Sequence, residues 1–64
     1  ALNRRGEQYL GRTFTLEQPV VNRVGKLRVD DSTWRITGDD LPAGTRVTVT
    51  GVDGVVLKIT RTPS

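Results

Sequence analysis

Apolar and polar residues alternate with a period of two from Phe14 almost to the end of the chain. This alternation is typical of β-strands with one buried face. Five segments carry it, and each is rich in β-branched residues and bounded by turn residues. The inward positions form the predicted core, which consists of Phe14, Leu16, Leu27, Val29, Trp34, Ile36, Val47, Val49, Leu57 and Ile59, with Val55 expected on the same face.

The last two strands, in residues 47–59, set turn chemistry against the burial pattern. Their Asp-Gly pair is typical of a two-residue hairpin turn, but that register would place apolar residues opposite polar ones. Facing residues share one side of a sheet, so the burial pattern predicts that Val49 pairs with Leu57. The loop then comprises residues 52–54, and Gly54 takes a positive φ in a bulge.

The same reasoning predicts a hairpin between the second and third strands. Pairing Leu27 with Ile36 and Val29 with Trp34 leaves a two-residue turn at residues 31–32. Trp34 then faces inward as the largest side chain of the core. Gly44 supplies a further turn between the third and fourth strands.

The outer face of these two strands carries the candidate interaction surface, which consists of Lys26, Arg28 and Arg35. The predicted register sets Arg28 opposite Arg35, and facing like charges are destabilising unless an anion relieves them. An anionic partner would supply that relief. The alternative is a solvated pair offset by Glu17, which is expected near the level of Lys26.

Five short strands with one inward stripe each are too few for two independent sheets. Closing them into a barrel gives the stripes a shared interior and removes exposed edges. The sequence therefore predicts an all-β, five-stranded, OB-like Greek-key barrel over residues 10–61, with an SH3-like barrel as the alternative. Residues 1–9 are predicted to be a flexible linker, and residues 62–64 a tail.

Composition narrows the possible chemistry. The 64 residues include no cysteine and no histidine, which excludes thiol catalysis, histidine general-base catalysis and the common zinc sites. The carboxylate pair Asp39-Asp40 offers too few oxygen ligands for a hard cation, so turn formation is expected instead. We therefore predict no catalytic residue, no metal site and no cofactor. The net charge of +3 is consistent with an anionic partner or with an ordinary soluble surface.

The segment GKLRVDDSTWRITGDDLPAGTRVTVTGVDGVVLKI, residues 25–59, resembles the C-terminal soluble domain of NfeD-like proteins in their short membrane-anchored form. The shared features are the strand with Val29, Trp34 after a short turn, the LPAGTRVTV stretch, and residues 52–54 followed by two inward apolar residues. The preceding LEQPVVNRVGK is similar to the family's first strand and connection. The resemblance covers about residues 10–61.

The resemblance implies an OB-type domain that follows transmembrane helices at the bacterial inner membrane, on its cytoplasmic side. No apolar run in this chain approaches the roughly 18 residues of a membrane span, and the chain begins at Ala1 without methionine, so a preceding segment is expected. The resemblance also implies a stomatin-like (SPFH, or band-7) membrane partner. Longer family members carry a serine protease domain, but neither Ser32 nor Ser64 stands in such a motif. A non-catalytic interaction module is therefore expected.

Nucleic-acid binding is the alternative function. OB barrels bind single strands on the outer face of strands two and three, through stacked aromatic rings in a cationic groove. Here that face carries charge without rings, because Phe14 and Trp34 belong to the inward stripe. Nucleic acid is therefore disfavoured, and self-association is left open.

Overall fold

The computed structural model describes residues 5–63, which contain one short 3-10 helix and five β-strands. The helix spans Arg5–Tyr9. The strands are β1 (Thr13–Thr15), β2 (Gly25–Val29), β3 (Ser32–Thr37), β4 (Arg46–Asp53) and β5 (Val56–Arg61).

The five strands form one sheet in the order β1-β4-β5-β3-β2. Neighbouring strands are antiparallel except for β3 and β5, which run parallel because the chain crosses over between them. The sheet curls into a half-barrel with β1 and β2 at its two ends. A partly open, five-stranded Greek-key barrel is the OB architecture, so the predicted fold class is confirmed.

The core lies inside the curl and consists of Tyr9, Leu16, Val20, Leu27, Val29, Ile36, Val47, Val49, Leu57 and Ile59. Two predicted core residues, Phe14 and Trp34, are only half-buried and pack against its edge. Two buried residues were not predicted. Tyr9 comes from the 3-10 helix, and Val20 comes from the irregular connection between β1 and β2, where no alternation marks it.

The beginning of the domain lies earlier than predicted. Residues 5–9, expected to be flexible linker, form the 3-10 helix, and the Tyr9 side chain is 8% exposed. A Cβ on Gly6 would lie 2.8 Å from Val52 Cγ1, so this helix packs directly on β4. The linker prediction is therefore wrong for residues 5–9, while residues 1–4 lie outside the described part of the chain.

The register predicted for β4 and β5 is wrong. Val49 pairs with Ile59 instead of Leu57, and Val52 pairs with Leu57. The ladder shifts between Val49 and Gly51, where a bulge lets the strand keep its apolar side chains inside on both sides of the irregularity. The bulge was predicted to lie in the loop, but it lies within the strand.

The β4–β5 turn consequently has two residues, Gly54 and Val55, between the paired Asp53 and Val56. Gly54 has the predicted positive φ, +65°. A glycine with positive φ at the first turn position is the requirement of a type II′ hairpin. Val55, expected inside, lies at the tip and is 75% exposed.

The β2–β3 register is also shifted, by two residues. Leu27 faces Trp34 and Val29 faces Ser32, so the turn falls at residues 30–31 instead of 31–32. Asp30 has φ +55°, a conformation that aspartate adopts more readily than most residues because its short side chain bonds locally. A shift of two leaves every side chain on its predicted face. The turn at Gly44, with φ +91°, lies where it was predicted.

Candidate functional site

Three exposed cations on the outer face of β2 and β3 form what we call the cationic strip: Lys26, Arg28 and Arg35. Lys26 lies directly opposite Arg35, and Arg28 lies opposite Thr33. The predicted Arg28–Arg35 pair is therefore wrong, because the hairpin is shifted by two residues. Arg28 is the diagonal neighbour of Arg35, at a typical separation of about 7–8 Å. The three positive charges thus share one small area.

A groove of about 240 Å³ borders the strip on one side. Its lining consists of Glu17, Gln18, Lys26, Arg28 and Thr33. The structure therefore brings Glu17 to the strip, as the sequence led us to expect. One carboxylate beside three cations leaves the area positively charged.

A second groove, of about 350 Å³, shares Gln18 and Lys26 with the first. It is lined by Gln18, Pro19, Val24, Gly25, Lys26 and Arg35. We call it the turn groove, since Val24 belongs to the tight turn that follows Val20. Lys26 separates the two grooves and contributes to both.

The tight turn at residues 21–24 has an unusual backbone. Val21 and Val24 exchange two N–H to carbonyl hydrogen bonds of 3.0 Å, and the two residues between them, Asn22 and Arg23, have φ of +55° and +65°. Positive φ at both central positions is the pattern of a type I′ turn, which normally favours Asn-Gly. An arginine in this conformation must be held by its surroundings.

Contacts from the end of β3 and from the β3–β4 connection hold that turn. The Arg23 backbone N–H donates to Asp40 Oδ1 at 2.8 Å, and Thr37 Oγ1 donates to the Arg23 carbonyl at 2.8 Å. The exposed Arg23 guanidinium also lies 3.6 Å from Asp39 Oδ1, a pair that stabilises little because water screens it. The Asp39-Asp40 pair therefore serves to fix a turn. Within residues 5–63, no group of three or more acidic residues is placed to hold a metal ion.

The three aromatic residues form a cluster at the edge of the core. The Tyr9 ring makes edge contacts with Trp34, at 5.5 Å between centroids, and with Phe14, at 6.3 Å. The Arg12 guanidinium lies 5.3 Å from the Phe14 centroid and 5.7 Å from that of Tyr9. Arg12 and Tyr9 were missed by sequence reasoning, because they precede the alternating region. The rings contact one another, so they do not provide stacking platforms along β2 and β3.

Within residues 5–63 there is no helix long and apolar enough to cross a membrane.

The chain is similar to known proteins over most of its length. The family model for the NfeD-like C-terminal, partner-binding domain matches residues 6–61. The chain is 49% identical over 59 residues to the inner membrane protein YbbJ of Escherichia coli (strain K12). That alignment covers 91% of this chain and 39% of YbbJ, so the chain spans well under half of the relative it matches.

A solved structure shares the fold. The C-terminal domain of stomatin operon partner protein 1510-C from Pyrococcus horikoshii matches with a TM-score of 0.76, over 91% of this chain and 94% of that one. The two sequences are 23% identical, a level at which the likeness speaks for the fold alone.

Proposed function

We propose that this chain, which belongs to the family of NfeD-like C-terminal, partner-binding domains, is the partner-binding module of a membrane-anchored protein. Its partner is a stomatin-type (SPFH, or band-7) membrane protein. Two likenesses support this: the relative YbbJ is an inner membrane protein, and 1510-C is a stomatin operon partner.

The proposal places the module at a bacterial inner membrane. The part of YbbJ that this chain does not match is large enough to hold a membrane anchor, since the match covers 39% of that protein. We infer that transmembrane helices precede Ala1 and that the domain lies on the cytoplasmic side. Sequencing the reading frame upstream of Ala1 and tagging the domain for protease accessibility in oriented vesicles test both points.

The role we assign is binding without catalysis, and the cationic strip is the observation that carries it. Lys26, Arg28 and Arg35 are held together by the register of β2 and β3. Grouped like charges repel one another, and a complementary anionic surface on a partner relieves that repulsion while it speeds and orients encounter. The strip therefore favours an acidic partner surface.

A charge-reversal experiment tests the strip. The full-length protein in its membrane is co-purified with the stomatin-type protein of the same organism, as wild type and as Lys26→Glu/Arg28→Glu/Arg35→Glu. The matched control, Arg46→Glu/Lys58→Glu/Arg61→Glu, changes the same charge at exposed positions on β4 and β5. The strip variant should lose the partner, and the control should retain it.

Two results would contradict the proposal. The first is a wild-type protein that fails to co-purify with the stomatin-type protein. The second is equal loss in both charge-reversed variants. Tight binding of labelled single-stranded DNA that weakens steeply with salt would instead assign the strip to nucleic acid.

A further inference from the structure

Exposed large apolar side chains are few, and two of them share one turn. Within residues 5–63 they are Leu10, Val21, Val24 and Val55, between 46% and 75% exposed. Val21 and Val24 are bonded to each other through their backbones, whereas Val55 lies at the tip of the β4–β5 hairpin. Single exposed apolar residues are normal on a protein surface, but a grouped pair next to a groove needs a reason.

The turn that displays these valines is strained and yet well anchored. Both Asn22 and Arg23 adopt the left-handed conformation, which asparagine tolerates but which is unfavourable for arginine. Hydrogen bonds of 2.8 Å at the Arg23 backbone N–H and carbonyl compensate for that strain. The bridge between Val20 and Leu41, with bonds of 2.8 and 3.2 Å, fixes the entry to the turn. The valines are therefore displayed in one geometry, which lowers the entropic cost of binding.

The turn groove combines this apolar edge with positive charge. Val24 and Pro19 form its apolar wall, and Lys26 and Arg35 lie beside them as a directly opposed pair. Its volume of about 350 Å³ is within the range of ligand-binding clefts. Gly25 lies between the wall and the cations, and a Cβ there would lie 3.0 Å from Val20 Cγ2. The groove thus offers contacts to an aliphatic side chain and to a carboxylate at the same time.

We propose that the turn groove binds a short segment of the stomatin-type partner in which an aliphatic residue stands next to aspartate or glutamate. This inference rests on the proposed function and adds to it the place and the chemistry of contact. Charge complementarity selects the acidic residue, since Lys26 and Arg35 are both exposed and directly opposed. The exposed Val24 selects the aliphatic neighbour, because burying an aliphatic side chain against it removes apolar surface of both from water.

Site-specific photo-cross-linking in the full-length protein locates the contact. A benzoylphenylalanine replaces Val24 in one variant and Val55, the matched exposed valine, in another. Both are irradiated in membranes that contain the stomatin-type protein. A cross-link to that protein from position 24 and none from position 55 supports the turn groove. Cross-links from position 55 alone overturn it.

The chemistry is tested with short overlapping peptides that cover the sequence of the same stomatin-type protein. The full-length protein should retain peptides with adjacent aliphatic and acidic residues. Val24→Ser and Lys26→Glu/Arg35→Glu should each weaken that binding by about tenfold or more, whereas Val55→Ser should leave it unchanged. Peptides whose acidic residues are replaced by lysine should bind the Lys26→Glu/Arg35→Glu protein more tightly than they bind the wild-type protein.

The outcomes separate this inference from the function it rests on. If the wild-type protein does not associate with the stomatin-type protein, the proposed function fails and the turn groove fails with it. If the wild type associates and the strip variant Lys26→Glu/Arg28→Glu/Arg35→Glu loses the partner, but Val24→Ser and Lys26→Glu/Arg35→Glu associate as well as the wild type, the function stands and the turn groove is overturned.

Discussion

Gly38, the buried residue that follows β3, makes the tightest backbone approach of the glycines whose surroundings are described. A Cβ at this position would lie 2.5 Å from the Ile59 carbonyl oxygen and 2.9 Å from Ile59 Cδ1. Ordinary contact begins at 3.4 Å, so the Gly38→Ala variant must separate the two strands by about 0.9 Å. The atom in the way belongs to backbone, so rotation of a side chain cannot relieve the clash.

That separation acts on the one parallel pairing of the sheet, between β3 and β5, which joins the β1-β4-β5 half to the β3-β2 half. Overpacking a well-packed interior usually costs about 1–3 kcal/mol, and we expect Gly38→Ala to lie at the upper end. A domain of 64 residues has a total free energy of unfolding of about 3–10 kcal/mol. The substitution should therefore remove a large fraction of the stability.

Urea unfolding followed by the fluorescence of Trp34, the single tryptophan, measures the change. Gly51→Ala is the matched control, because a Cβ at Gly51 would lie 3.4 Å from Lys58 Cδ, at the flexible end of a side chain. Glycine weakens a strand interior by about 0.5–1 kcal/mol relative to alanine, so the control should be unchanged or slightly stabilised. A Gly38→Ala protein as stable as the wild type, or two variants destabilised equally, would refute the packing described here.

Three further predictions concern the core edge and the site. Trp34→Ala should lower the free energy of unfolding by about 3 kcal/mol, as measured by urea unfolding followed by circular dichroism, since that is the usual cost of truncating a packed tryptophan; a variant as stable as the wild type that had lost only partner binding would contradict this. Asp40→Ala should speed hydrogen exchange at the Arg23 amide and reduce partner association, because the variant lacks the acceptor at 2.8 Å; unchanged exchange would show that the turn is held without it. Lys26→Glu should weaken partner association more than Arg28→Glu, because Lys26 lines both grooves and Arg28 only one; the reverse order in a co-purification assay would argue against the turn groove.

The faces of the strands could be predicted from the sequence, but the registers could not. Alternation determines which side of the sheet a residue occupies, and a shift of two residues leaves that side unchanged. Pairing Leu27 with Trp34 or with Ile36 therefore satisfies the same pattern equally well. The backbone decides between them, because Asp30 takes the left-handed position that a turn at residues 30–31 requires.

In β4 the sequence does contain a signal for the bulge, in the spacing of the apolar residues. The apolar residues Val47 and Val49 are two positions apart, and Val52 follows after three. A step of three within an alternating strand is what a bulge produces, since the extra residue restores the inward face. The predicted pairing of Val49 with Leu57 placed the irregularity in the loop, at Gly54. The ladder instead shifts between Val49 and Gly51.

The candidate site divides along the same line. The outward positions of Lys26, Arg28 and Arg35 could be predicted from the sequence, because they follow from alternation alone. The turn at residues 21–24 was not found, since its conformation depends on hydrogen bonds from Asp40 and Thr37, which lie 17 and 14 residues away in the sequence. Local propensity would have disfavoured a left-handed arginine, and tertiary contacts override it.

The register of the β2–β3 hairpin also decides where the strip is most strongly charged. In the predicted register the closest pair was Arg28 with Arg35, on the side of the strip toward the hairpin turn. In the structure the directly opposed cations are Lys26 and Arg35, at the other end of β2, where both line the turn groove with Val24. Directly opposed like charges repel more than diagonal ones, so an arriving carboxylate gains most between these two. The observed register therefore places the expected binding position at the end of the strip where the exposed valines lie, and not at the hairpin end. Every residue nevertheless keeps its predicted face.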